Sequence, residues 1–308
     1  MKPNLPFAFV AAILPLHGQV TLLDPAAEKL VAPDAKIEKL AGGFKFSEGP
    51  VWLPDRKILV FSDIPASKLM QWSESGGIAD FRPSEQANGN TLDTLGRLIS
   101  CQHAARNIVR TEPDGTAKVL LDRYQGKKFN SPNDAAVKRD GTIWFTDPPY
   151  GLPSGQAKEQ EGNWVYRFDP AKGAVTIVSK DFDMPNGIAF SPDEKRLYIA
   201  DSGKGQRVGA FDVRADGTLG PAVWWAEGGS DGMRVDEKGN LYTTANDGVR
   251  IYSPEGKHLA TIACPEPPAN CAFGGDDFKS LFITARTGLY RIKLGVAGNR
   301  LGKTTPSK

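Results

Sequence analysis

Read for hydrophobicity alone, the chain is a succession of short apolar runs rich in β-branched and aromatic residues, separated by turns of Asp, Gly and Pro. Runs this short, bounded this way, predict strands rather than helices. One phrase recurs: an apolar run, a tight turn, then a β-branched or aromatic run, as in residues 137–146 with the turn at Asp140-Gly141. Further copies occupy 51–63, 91–102, 188–201, 233–245 and 272–285, and each reads as a hairpin. A third run follows most copies, as at 164–168 and 249–252, and a fourth is visible at 119–121, 175–178, 222–225 and 258–262. Four strands per unit, repeated at roughly 40 to 55 residues, predict an all-β chain, a six-bladed β-propeller with four antiparallel strands per blade. The last unit has no fourth strand, because a polar tail follows Leu294. Residues 37–40, out of place as a beginning, supply it and close the ring with an N-terminal strand. The expected organisation is a signal peptide at 1–19, a linker at 20–36, the propeller at 37–294 and a C-terminal tail at 295–308.

Aligning the hairpins on their turns exposes one position just before each first strand that is always an oxygen donor: Glu48, Asn88, Asn133, Asn186, Asp231 and Asn270. Each lies 14 or 15 residues before the same point of its return strand, at Asp63, Gln102, Asp147, Asp201, Ala245 and Ala285. First strands line the channel of a propeller, so these side chains form a ring at one mouth. Carboxylates and amides converging in a confined space call for a cation. Hard oxygen donors suit calcium best, with magnesium, manganese or zinc in substitution. The only histidines, His17, His103 and His258, have no zinc-ligand spacing. Asn and Asp are also ordinary turn residues, but Glu48 gains nothing from turn chemistry, and six donors in register exceed what turns require.

Composition narrows the function. A 308-residue chain that is 40% hydrophobic can bury a large core. Its net charge of +2 has no basic stripe, which excludes nucleic acid as the expected partner. The start, with Lys2 and an apolar stretch at 5–16, reads as a secretory signal and predicts export to the periplasm or medium. No later segment is apolar for long enough to be a membrane helix. Cys264 and Cys271 are close enough to form a small loop in an oxidising compartment, but three separate buried thiols, with Cys101, fit better. Oligomeric state leaves no mark on the sequence.

Several separated motifs carry a family resemblance. Ser47-Glu48-Gly49-Pro50-Val51-Trp52, Asn130-Ser131-Pro132-Asn133-Asp134, Phe145-Thr146-Asp147-Pro148-Pro149-Tyr150-Gly151, Pro185-Asn186-Gly187-Ile188 and Ser230-Asp231-Gly232-Met233 occur in that order. Together they resemble the senescence-marker-protein/gluconolactonase family, which includes luciferin-regenerating-enzyme-like proteins. The resemblance runs from about Ile37 to Ile292 and implies a six-bladed propeller with a bound divalent cation, typically calcium, that hydrolyses sugar lactones. Carried over by motif, it implies Glu48, Asn186 and Asp231 as metal ligands and Asn133 as a ligand or substrate contact. Lys128 stands before Phe129 where some members have Arg.

Lactone opening needs a polarised carbonyl, an activated water and a stabilised oxyanion. Asp231 is the candidate general base as well as a ligand, since a carboxylate beside a cation stays ionised. Asp147, Asp201 and His103 fall near the same mouth because each return strand ends where the first began. They are candidates for the base or for binding sugar hydroxyls, and Asn88 is a candidate substrate contact. The competing reading is a capped strand end for the two aspartates and a satisfied wall residue for His103. Tyr150, on the rigid Pro148-Pro149-Tyr150-Gly151 loop, walls the pocket or packs. No Gly-x-Ser-x-Gly elbow and no dinucleotide glycine pattern is present. Two further functions fit the same pattern: a non-catalytic propeller whose ion is structural and whose face binds a glycan or protein, and an esterase acting on other lactones or phosphotriesters.

Overall fold

The computed structural model describes residues 20–32 and 34–300, and the expected signal peptide lies outside them. Six four-stranded antiparallel units follow one another around an axis. Blade 1 runs from the axis outward as Ser47–Leu53, Ile58–Asp63, Lys68–Ser73 and Gly77–Pro83. Blades 2, 3 and 4 begin with Ala87–Leu92, Ala135–Val137 and Pro185–Phe190, and blades 5 and 6 with Met233–Val235 and Asn270–Gly274. The outer strand of blade 1 escapes the apolar pattern because it is mostly exposed and ends in Pro83, as an outer-edge strand can.

Strands alternate their side chains between two faces, so each blade presents apolar residues to both neighbours. Six buried clusters result, one for each pair of adjacent blades. Between blades 6 and 1, Trp52 stacks on Phe282 with ring centroids 5.5 Å apart. Closure is made by Glu38–Gly42, which pairs with Gly288–Lys293 in the register Glu38↔Arg291 and Gly42↔Gly288. Arg291 fastens this seam with ion pairs to Glu38 at 2.8 Å and to Glu74 of blade 1 at 2.6 Å.

The stretch 20–36, read as a linker, is built into the fold. Val20–Leu22 adds a fifth strand to blade 5 by pairing with His258–Ile262. Asp24 then caps a short 3-10 helix, Pro25–Lys29, accepting from the Ala26 N–H at 2.8 Å, and Ala27, Leu30 and Val31 enter the core between blades 5 and 6. Three residues are too few to show an alternation, which is why this strand reads as linker. All three cysteines are free. Among the described residues, no helix is long and apolar enough to cross a membrane.

Candidate active site

The first strands of blades 1, 2 and 4 do not run straight into the mouth of the channel. Their register slips between Glu48 and Val51, between Ala87 and Asn90, and between Pro185 and Ile188. Each slip is a bulge holding a donor followed by glycine: Glu48-Gly49, Asn88-Gly89 and Asn186-Gly187. The bulges carry the chain against the neighbouring blade. The Gly89 N–H donates to Asn133 O at 2.8 Å and the Gly187 N–H to Asp231 O at 2.8 Å. Glycine is required by that approach: a Cβ on Gly49, whose φ is +54°, would sit 2.0 Å from Asn88 O, and one on Gly187 would sit 2.3 Å from Asp231 O. Gly187→Ala is therefore expected to cost about 1–3 kcal/mol by overpacking and to lower turnover by displacing Asp231, read by thermal melting and initial rates.

This ring rims a cavity of about 490 Å³ lined by Glu48, Asn88, His103, Asn133, Tyr150, Asn186 and Asp231, together with Phe46, Ser202, Gln206, Asn246 and Arg286. Seven expected site residues thus meet at one mouth. Glu48 is a buried carboxyl and Asp231 a partly buried one, and both are held above the usual carboxylate range. Burial is the main cause for each. For Glu48 the charges of Asp231 and Asp134 add to it; Asp231 is pushed up to about 7, with Asn186 and Arg286 opposing and Asp134 reinforcing. Burial likewise pulls the His103 imidazole down to about 4, so the ring is neutral, and its Nε2 lies 3.1 Å from the Asn88 amide nitrogen, which donates to it.

Asn270, the sixth donor, faces the ring differently. Its Oδ1 accepts the Cys271 N–H at 2.8 Å, and its amide N–H donates to Glu48 Oε2 at 2.9 Å. With its amide N–H given to Glu48 and its oxygen held by the N–H of its own neighbour, it orients Glu48. The side chain of Asn133 has no hydrogen-bond partner among the described residues, although it is buried.

Asp147 and Asp201, expected as base or sugar contacts, are placed elsewhere and do not line the cavity. Asp147 accepts the N–H groups of Asn130 at 2.8 Å and Ser131 at 2.9 Å; Asp201 accepts those of Asp183 at 3.1 Å and Met184 at 2.9 Å. Asp63 does the same in blade 1 for Lys45 and Phe46. In three blades the carboxylate at the end of the second strand pins the segment leading into the donor. Adjacent residues on a strand point opposite ways, so the next residue turns to the mouth instead: Ile64, His103, Ser202, Asn246 and Arg286 all line it. Shifting the hairpin alignment by one position would have found Ser202, Asn246 and Arg286. Asp147→Ala is expected to strand two buried N–H groups, destabilising the protein by about 1–3 kcal/mol for each. The KM of the folded fraction stays at the wild-type value, as paired denaturation and rate measurements would show.

Residues 46–287 match the family described as the SMP-30/gluconolactonase/LRE-like region. The chain belongs to this family. Among its similar relatives is a gluconolactonase of Zymomonas mobilis, 30% identical over 91% of this chain and 87% of that one. A gluconolactonase structure from Xanthomonas campestris is 34% identical, with a TM-score of 0.83 over 89% of this chain and 94% of the other. A regucalcin from Agrobacterium tumefaciens, described as a calcium-binding protein, shares the fold at 20% identity and a TM-score of 0.70, covering 88% of this chain and 97% of that one. In this SMP-30/gluconolactonase member the cavity opens at the donor end of the channel, and Lys128 does not line it.

Proposed function

We propose that this lactone hydrolase opens sugar lactones in the cavity at the donor mouth, using a divalent cation, calcium by donor chemistry, held by Glu48, Asn186 and Asp231 with Asn133 beside them. The observation that carries the reading is the pair of carboxyls, buried Glu48 and partly buried Asp231, that line one cavity with no basic side chain among the described residues bonded to either. Among the described residues, no three His, Cys, Asp or Glu side chains cluster as metal ligands, so the donor set has to draw on amide oxygens. Two carboxylates and two amide oxygens make a hard, oxygen-only set, which fits calcium and disfavours zinc. The calcium description of the Agrobacterium protein is its own; the case here rests on these donors.

When bound, the cation would polarise the lactone carbonyl and offset charge on its oxygen. The chain's own groups do the rest. Asp231 accepts a proton from water as the water oxygen bonds to the carbonyl carbon, and returns it to the ring oxygen as the ring C–O bond breaks. The hydroxy acid then ionises and releases one proton to solvent. Asn88, Asn133, Gln206 and Asn246 give the wall amide donors and acceptors for a polyhydroxylated ring. The Tyr150 phenol, pushed up to about 12 chiefly by burial, stays protonated as a further donor. Neutral His103 holds the Asn88 amide and is too weakly basic to be the proton acceptor at neutral pH.

Acid release in a pH-stat from an aldonolactone, a lipophilic lactone and a phosphotriester tests the assignment. The expected result is the highest kcat/KM on the aldonolactone. Turnover of the aldonolactone no faster than its spontaneous hydrolysis would sink the proposal.

A further inference from the structure

Ser202 has no part in the assignment above, yet it lies between Asn186, the Ser230 backbone and the cavity. It follows Asp201 at the end of the second strand of blade 4, and its hydroxyl lies against the cavity. A serine hydroxyl has one proton to give and lone pairs to accept with. The Ser202 proton goes to the Ser230 carbonyl, 2.9 Å away, in the residue before Asp231. Toward every other neighbour Ser202 can only accept.

Asn186 is such a neighbour: its Nδ2 donates to Ser202 Oγ at 3.1 Å. The Asn186 side chain also interacts with the Asp231 carboxyl, and an ionised carboxyl accepts only from the amide N–H. Both amide hydrogens are then used, which leaves Oδ1 for the cavity and for the Tyr150 hydroxyl beside it. An amide rotated by 180° would set oxygen against oxygen at Ser202 and again at Asp231. The Ser202 hydroxyl therefore selects the amide orientation, and its bond to Ser230 O ties the same group to the backbone that carries Asp231. Ser230 is fixed in turn, its Oγ donating to Gly232 O at 2.7 Å and accepting the Thr244 N–H at 3.0 Å.

We infer that Ser202 is a positioning residue for cation binding, which holds the Asn186 amide with its oxygen toward the axis by accepting from its nitrogen while donating to Ser230 O. The inference rests on the reading of Asn186 as a ligand. Partners behind a ligand typically change metal affinity 10- to 100-fold when removed.

The test is calcium binding by titration calorimetry to EDTA-stripped protein, wild type and variants, with calcium chloride alone as the probe. Ser202→Ala is expected to weaken calcium binding at least tenfold. Ser202→Thr, which keeps the hydroxyl, is expected to stay within about threefold of wild type. The melting temperature of each stripped variant checks that the propeller is intact. Asn186→Ala separates the two ideas. If Asn186→Ala weakens calcium and Ser202→Ala does not, the role of Ser202 is overturned while the ligand reading stands. If Asn186→Ala binds calcium like wild type, the ligand reading fails and the inference with it. A Ser202→Thr protein as weak as Ser202→Ala would also overturn the inference, because the loss would then follow packing and not the hydroxyl.

Discussion

Asp231→Asn is expected to lower kcat on an aldonolactone by about 10³-fold, the middle of the range for removing a positioned general base. The substitution keeps the size of the side chain and one oxygen that can face the axis, and it removes a partly buried carboxyl whose ionisation the fold resists. The variant is therefore expected to fold as well as the wild type or better. A fall in rate alone would not distinguish a lost base from a lost ligand. Glu48→Gln supplies the contrast: Glu48 is fixed by Asn270 and by its own neighbour's backbone N–H, and is assigned no proton transfer. Its variant is expected to need more calcium and to recover most of its turnover when calcium is raised. Asp231→Asn is expected to remain slow at saturating calcium. Turnover of Asp231→Asn within tenfold of wild type at saturation would remove Asp231 from the role of base.

Much of this site was legible because a propeller repeats its errors as well as its rules. One Asn before a strand says little; six oxygen donors at a constant distance from six return strands locate a ring. The repeat also supplied the closing strand, since its absence after Leu294 was as regular as its presence elsewhere. What stayed hidden was directional. Asp147 and Asp201 stand one residue from positions that line the cavity, and a strand puts consecutive side chains on opposite sides. Their carboxylates went to backbone N–H groups that the alignment could not see. Ser202 and Arg286 carry no family of residue type across the blades, so no column marked them. Only the packed ring shows that the glycines after the donors admit the neighbouring blade.

Removing the cation with EDTA is expected to bring turnover down to the spontaneous rate and to make stability depend on pH in a particular direction. In the stripped protein Asp231 titrates near 7, and Glu48 is also raised, both chiefly because burial disfavours the charge. The unfolded chain loses these protons at ordinary carboxylate values, so between about pH 4 and 7 the folded state binds more protons than the unfolded one. Stability from this source is fully present below the unfolded value and is lost as pH rises through the folded one. The loss is on the order of a few kcal/mol. Calcium reverses it by binding the ionised pair in the folded state alone, adding about 4 kcal/mol at a thousand times its Kd. The calcium-dependent rise in melting temperature is therefore expected to be small at pH 5 and large at pH 8. Asp147, pushed up to about 7 by burial, tilts the curve the same way, but it lies outside the cavity and does not respond to calcium. The difference between the curves with and without calcium thus isolates the axis. A difference that is flat across this range would mean that the two carboxyls are not where the cation binds. A difference of the expected shape, without EDTA-sensitive turnover, would make the ion structural and leave the cavity a binding site.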